Sequence, residues 1–252
     1  MTQKLDHRTA VIILAAGLGT RMKSDMAKVL HKVCRKPMIS HVVDMAVEVA
    51  GENIIVVTGY QSDQVRETAR KSAQVGFAYQ EKQLGTGHAV LCAMPELHKG
   101  IENVIILCGD VPLLSAGTVF SLIESHNKQN NQITVLAVEV ENPKGYGRMI
   151  VNQVGSLVKI VEEADANQDE KSIRIINSGI YCVERKFLEH ALRMLKPDNA
   201  QNEFYLTDII SIGADENKKI GLFMGNNSDE VVGINCLQDL VKAEKLMDKR
   251  SR

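Results

Sequence analysis

Tryptophan is absent from this 252-residue chain, and aromatic residues of all kinds make up only 4% of it. A surface that stacks single-stranded bases needs more aromatic area than that. An excess of one charge is missing too. Thirty lysines and arginines face 31 aspartates and glutamates, for a net charge of -1, so there is no basic footprint for nucleic acid. No apolar run reaches 18 residues, which argues against a membrane span. The first ten residues, MTQKLDHRTA, lack the apolar core of a signal peptide. Cysteines number five and lie far apart, with no C-x-x-C pair, which fits neither a disulfide framework nor a zinc cluster. The seven histidines show no metal-ligand spacing. The expectation is a cytoplasmic protein with reduced thiols that binds neither membrane nor nucleic acid.

Against these absences stands one dense segment, Leu14 to Leu30, reading LAAGLGTRMKSDMAKVL. It follows an apolar run, Thr9 to Leu14, that reads as a buried parallel strand. Small residues at the strand's end let the backbone approach a ligand closely, with amides able to face phosphate oxygens. Arg21 and Lys28 then bring fixed positive charge. On its own, Lys28 reads as readily as a solvated lysine.

Apolar strand-like runs alternate with helical patterns through the first half. Strands are expected at 53–58, 75–79, 103–108 and 133–140, with helices from Pro37, over 61–72, 89–97 and 118–128. Such alternation predicts an α/β fold with a doubly wound, mostly parallel sheet, where ligands sit beyond the strand carboxyl ends. The second half changes character. Short strands at 148–151 and 157–161, with a longer one at 175–184, read as a β-rich lobe over about 141–184. Helices follow at about 185–195 and 205–214, then a strand at 221–225. A charged amphipathic helix over 237–249 ends the pattern, its apolar positions suited to its own domain or to a second copy. The expected division is a domain over 1–235 including the lobe, then a C-terminal helical segment over 236–252.

Familiar nucleotide signatures fail in instructive places. The third glycine of G-x-G-x-x-G is replaced by Met22, and Thr58 stands where a dinucleotide site needs an acidic residue. G-x-x-x-x-G-K-[ST] is absent as well. Asp110, after Gly109 at the end of an apolar strand, can hold Mg²⁺ through hard oxygens or simply begin a turn. Gly85-Thr86-Gly87-His88-Ala89 opens a helix, and Thr86 could be no more than its cap.

LAAGLGTRMKSDMAKVL, QLGTGHA, GDVPL, GYGR, IVEEADA, INSG, EFYLTDI and VGIN occur in that order over nearly the whole chain. Together they resemble the sugar-nucleotide pyrophosphorylases, in particular the N-acetylglucosamine-1-phosphate uridylyltransferase branch. The resemblance implies a Rossmann-like sheet with a small β-rich sugar-binding lobe. It implies Mg²⁺-dependent transfer of UMP from UTP to N-acetylglucosamine 1-phosphate, a step toward peptidoglycan precursors. Ala15, Ala16 and Gly17 would hold uracil and ribose through backbone groups, and Gln80, Gly85 and Thr86 would read the base. Gly19, Arg21 and Lys28 would hold the triphosphate, Arg21 and Lys28 as the catalytic cations. Asp110 and Asn235 would coordinate Mg²⁺, and Gly147, Glu162 and Asn177 would bind the amino sugar. A relative acting on another sugar phosphate or nucleotide, or a nucleotide-sugar sensor without turnover, is the alternative.

Three residues depart from the pattern implied by the resemblance. Ala27 replaces the usual proline and should loosen the loop before Lys28. Cys108 and Cys236 stand where an aromatic and a polar residue are common. The hexapeptide repeats of a left-handed β-helix acetyltransferase domain are not found in the 252 residues, so neither acetyl transfer nor a trimer built through such a helix is expected. Another homo-oligomer is left open.

Overall fold

A computed structural model describes residues 7–250; residues 1–6, 251 and 252, the outer ends of the expected domain and terminal segment, lie outside the described residues. The strands are β1 (Thr9–Ala15), β2 (Lys32–Val33), β3 (Lys36–Pro37), β4 (Ile54–Thr58), β5 (Gly76–Tyr79), β6 (Asn103–Cys108), β7 (Ile133–Glu139), β8 (Arg148–Val151), β9 (Leu157–Val161), β10 (Ile175–Glu184) and β11 (Ile220–Met224). The helices are α1 (Met38–Ala50), α2 (Ser62–Ser72), α3 (Thr86–Ala93), α4 (Ala116–Gln129), α5 (Gln168–Lys171), α6 (Arg185–Met194), α7 (Asp208–Asp215) and α8 (Leu237–Arg250).

The main sheet runs β11-β7-β10-β6-β1-β4-β5, with β8 and β9 attached to β10. In that path β10 alone runs antiparallel to its neighbours. This is the expected doubly wound, mostly parallel α/β sheet. Strand β1 alternates its side chains between two cores, as a strand buried on both faces must. Ala10 and Ile12 join α3, α6 and α7 on one side. Val11 and Ile13 join α1, α2 and α4 on the other.

Because β1, β4, β5 and β6 are parallel and in register, their carboxyl ends form one edge. Leu14 lies beside Cys108, Ala15 beside Thr58, and Thr58 beside Tyr79. The residues that follow, Ala16-Gly17, Gly59, Gln80 and Gly109-Asp110, are thereby delivered to the same rim.

Strand β10 serves two structures. Its later residues, Tyr181 to Glu184, pair with β6, and Ile176 pairs with Arg148 of β8. The chain around Gly147 and Asn177 is thus tied directly to the sheet. A third, smaller core of Val33, Met38, Leu113, Ile234 and Ala243 seats α8 on its own domain, with Leu240, Leu246 and Met247 packed against it.

Three helix starts differ from those that periodicity predicts. Helix α3 starts at Thr86 rather than Ala89, within the Gly85–Ala89 helix opening read from the sequence; α4 starts at Ala116 rather than Thr118, and α7 at Asp208 rather than Tyr205. The starts of α3 and α7 meet at one contact. The 204–206 segment stays outside α7 and bonds with the chain at the start of α3: Phe204 N–H donates to Leu84 O (2.7 Å), Gly87 N–H to Phe204 O (2.8 Å), and Leu206 N–H to Thr86 Oγ1 (3.0 Å).

Candidate active site

A cleft of about 350 Å³ opens at the common strand edge. Ala15, Ala16, Gly17, Lys28, Gln80, Gly85, Thr86 and Asp110 all line it, eight of the residues singled out from sequence. Gln83 and Glu203 line it as well and were missed. Gln83 opens the QLGTGHA segment and Glu203 the EFYLTDI segment, but neither was given a site role from sequence, and Glu203 arrives through the 204–206 pairing with residues 84–87.

One end of the cleft is built for charge. Lys28 Nζ is paired with Asp110 Oδ2 and donates to Asn235 Oδ1 at 3.1 Å. Arg21 donates to the same Asn235 oxygen at 2.9 Å. Four residues from three distant segments therefore meet around one point. Asn235 is held by the first turn of α8, where Asp239 Oδ2 accepts from the N–H groups of Asn235 (2.8 Å) and Cys236 (3.0 Å). Ile234 N–H in turn donates to Asp110 O at 3.0 Å, which fixes the VGIN segment beside the β6 edge.

The glycine turn fits closely behind this cluster. Gly19 has φ +73°, and a Cβ there would lie 2.5 Å from Lys28 Cβ. Only glycine allows both the left-handed turn and the lysine stem behind it. Among the described residues, the N–H groups of Gly17, Leu18 and Gly19 have no hydrogen-bond acceptor, leaving donors for an anionic ligand.

Ala27 is not the slack point its sequence predicts. It is fully buried, with φ −54° and ψ 134°, backbone angles that proline also adopts. Its N–H donates to Gln61 Oε1 at 2.8 Å, and Gln61 Nε2 and the Tyr60 hydroxyl donate to Asp25 O at 2.8 and 2.9 Å. Of these three bonds, the one from the Ala27 N–H is the one a proline could not make.

At the opposite end, Gln80 is buried at 3% exposure. Its Nε2 lies 3.0 Å from Gly85 O and 3.0 Å from His88 Nδ1. Gly85 has φ +107° and backs onto Phe204, whose carbonyl a Cβ would meet at 2.6 Å.

The sugar-binding residues implied by the resemblance form a second group outside the cleft lining. Gly147 O accepts from Asn177 N–H at 2.8 Å, and a Cβ on Gly147 would lie 3.5 Å from Glu162 Oε2. Thr207 Oγ1 donates to Glu162 Oε1 at 3.3 Å. Burial raises the Glu162 carboxyl above its ordinary range, with the Thr207 bond working in the other direction. Arg148, 1% exposed, braces this group from behind. It bonds to Tyr146 O and makes an ion pair with Glu163 at 2.7 Å. Between the groups sits Cys108, whose thiol is pushed up to about 12, chiefly by burial and then by Asp110. It is inert as a nucleophile near neutral pH.

Among the described residues, no group of three or more His, Cys, Asp or Glu could hold a metal. Asp110 Oδ2 and Asn235 Oδ1 nevertheless converge on the Lys28 ammonium. Two hard oxygens beside an open cleft, held here by the Lys28 ammonium and, at Asn235, the Arg21 guanidinium, are of the type that suits Mg²⁺.

A family model described as nucleotidyl transferase matches residues 10–234. The chain is 47% identical over 239 residues to the bifunctional protein GlmU of Thermoanaerobacter pseudethanolicus, covering 95% of this chain and 51% of that protein. It is 44% identical over 239 residues to the bifunctional protein GlmU of Clostridioides difficile, with 95% and 51% covered. The chain thus spans about half the length of the curated relatives it matches. Among solved structures, a UDP-glucose pyrophosphorylase complexed with UDP-glucose superimposes with a TM-score of 0.74 at 20% identity, covering 96% of this chain and 99% of that one. A putative glucose-1-phosphate thymidylyltransferase from Bacillus anthracis gives 0.71 at 21% identity, with 94% of each chain covered. At such identities the likeness speaks for the fold.

Proposed function

The chain belongs to the nucleotidyl transferase family, and we propose that it transfers UMP from UTP to N-acetylglucosamine 1-phosphate, releasing pyrophosphate. The observation that carries the reading is the meeting of Arg21, Lys28, Asp110 and Asn235 at one end of a cleft whose other end presents a buried glutamine. The resemblance supplies the residue roles proposed for that layout. UTP would lie along residues 15–19 with its base toward Gln80, Gly85 and Thr86. The amino sugar would face Gly147, Glu162 and Asn177. Strands β8 and β9 form the proposed sugar-side lobe of a catalytic unit over 1–235.

The chemistry asks little of acid–base groups. A phosphate oxygen of the sugar phosphate attacks the α-phosphorus of UTP, a P–O bond forms, and the bond to the β-phosphate oxygen breaks. The attacking oxygen is already anionic near neutral pH, so no activated nucleophile is required. Two polyanions must instead be brought together in line and the leaving charge neutralised. Arg21 and Lys28 supply fixed cations, and the free amides of residues 17–19 supply dipoles. Asp110 and Asn235 would hold Mg²⁺, which when bound draws charge off the phosphate oxygens.

Pyrophosphate release across four nucleoside triphosphates and a panel of sugar 1-phosphates tests this. Release should be fastest for UTP with N-acetylglucosamine 1-phosphate, stop with EDTA and return with Mg²⁺. A faster pair would reassign the substrate. Tight UTP binding without release would make the protein a sensor.

A further inference from the structure

His88 does not line the cleft, yet it is bonded to a residue that does. Gly85 O can only accept, so the Gln80 atom 3.0 Å away is the amide nitrogen and not its oxygen. The second hydrogen of that nitrogen points to His88 Nδ1, also 3.0 Å away. His88 Nδ1 must then carry a lone pair, which places the ring proton on Nε2, facing Cys92 Sγ at 3.8 Å. Phe204 packs 6.5 Å from the imidazole, centroid to centroid, and limits its rotation. Both amide hydrogens of Gln80 are consumed by the protein. Its Oε1 has no donor among the described residues and belongs to a side chain lining the cleft.

We propose that His88 is a specificity-positioning residue. By accepting from Gln80 Nε2 it locks the amide so that Oε1 alone faces the base, and the pocket selects a pyrimidine carrying N3–H. Uracil and thymine offer that donor, whereas cytosine offers a lone pair at N3 and meets Oε1 with repulsion. Without the imidazole acceptor, Gly85 O holds only one of the two hydrogens. Gly85 O then opposes the turned amide alone, and the bias that keeps Oε1 toward the base weakens. The inference rests on the proposed uracil end of the cleft and names what sets its polarity.

Equilibrium binding of UTP, TTP and CTP to the intact protein tests it apart from turnover. The wild type should bind UTP and TTP alike and CTP more weakly. His88→Phe, which keeps an aromatic ring against Phe204, should reduce the UTP-over-CTP preference about tenfold, the worth of one buried neutral hydrogen bond. His88→Asn, whose amide oxygen can stand where Nδ1 does, should restore the preference. Thermal melting confirms that each variant is folded. A wild type indifferent to UTP and CTP, a His88→Phe variant with undiminished preference, or a His88→Asn variant no better than His88→Phe overturns the proposal. A protein that discriminates these nucleotides but releases no pyrophosphate would remove the proposed function and leave the role of His88 standing.

Discussion

Lys28 and Asp110, 82 residues apart, are joined as an ion pair at the edge where β1 and β6 end side by side. Their side chains are 19% and 15% exposed, so the pair is partly sheltered and open to the cleft. Lys28→Ala and Asp110→Ala should each lower pyrophosphate release about a hundredfold or more, the scale seen when one preorganised electrostatic contact is lost. Circular dichroism should show both variants folded. Near-normal turnover in both would dismiss the pair as catalytic.

Gly19→Ala tests whether the turn matters through Lys28. The added methyl would sit 2.5 Å from Lys28 Cβ at a backbone of φ +73°. A stability loss of about 1–2 kcal/mol is expected from the left-handed backbone alone, read by urea unfolding. Turnover should fall by much more than that loss explains, because the lysine is displaced. If kcat follows only the unfolded fraction, the glycine is merely a turn former.

Glu162 gives a pH test with a defined sign. Burial holds its carboxyl above the ordinary 4.5. Such a group favours the fold while protonated. That contribution is complete below about 4.5 and is lost as pH rises through the raised folded value. Glu162→Gln should therefore melt higher than wild type at pH 7, with the two curves converging toward pH 4, while its KM for the sugar phosphate rises. A variant that melts no higher at pH 7, or a gap that widens on acidification, refutes the assignment.

Arg148→Met keeps the buried stem and removes the fork that binds Tyr146 O and Glu163. Loss of a charged hydrogen-bonding group in the interior should cost about 1–3 kcal/mol in urea unfolding. The KM for the sugar phosphate should rise and that for UTP should hold, since Gly147 and Asn177 lie on the braced side. Equal changes in both constants would place Arg148 in global stability instead.

The strands were legible because their signal is local. The bounds of β6, β8, β9 and β10 match the expected ones to the residue, each an apolar or alternating run closed by turn residues. The direction of β10 was not legible, since a buried strand shows the same pattern whichever way it runs. The Gly85–Ala89 opening marked the start of α3, whereas the start of α7 was misjudged because long-range backbone bonds between 204–206 and 84–87 hold its expected first residues out of the helix. Glu203 opens the EFYLTDI motif, but its place in the cleft follows only from that long-range pairing. Lys28 was visible as a cation of the glycine loop and Asp110 as a carboxylate at a strand end, but their meeting at Asn235 depends on the α8 turn, which no local pattern encodes.

That turn also sets when the site comes into being. Arg21 and its partner Asn235 are separated by 214 residues, so the loop between them closes late and at high entropic cost. As the chain leaves the ribosome, β1, β4, β5 and β6, and then the 204–206 segment that holds residues 84–87, can shape the cleft before residue 235 emerges. The charged end is completed only when the VGIN segment docks beside Asp110. During synthesis, nucleotide affinity should thus precede turnover, and catalysis becomes a readout of the last docking step rather than of sheet formation.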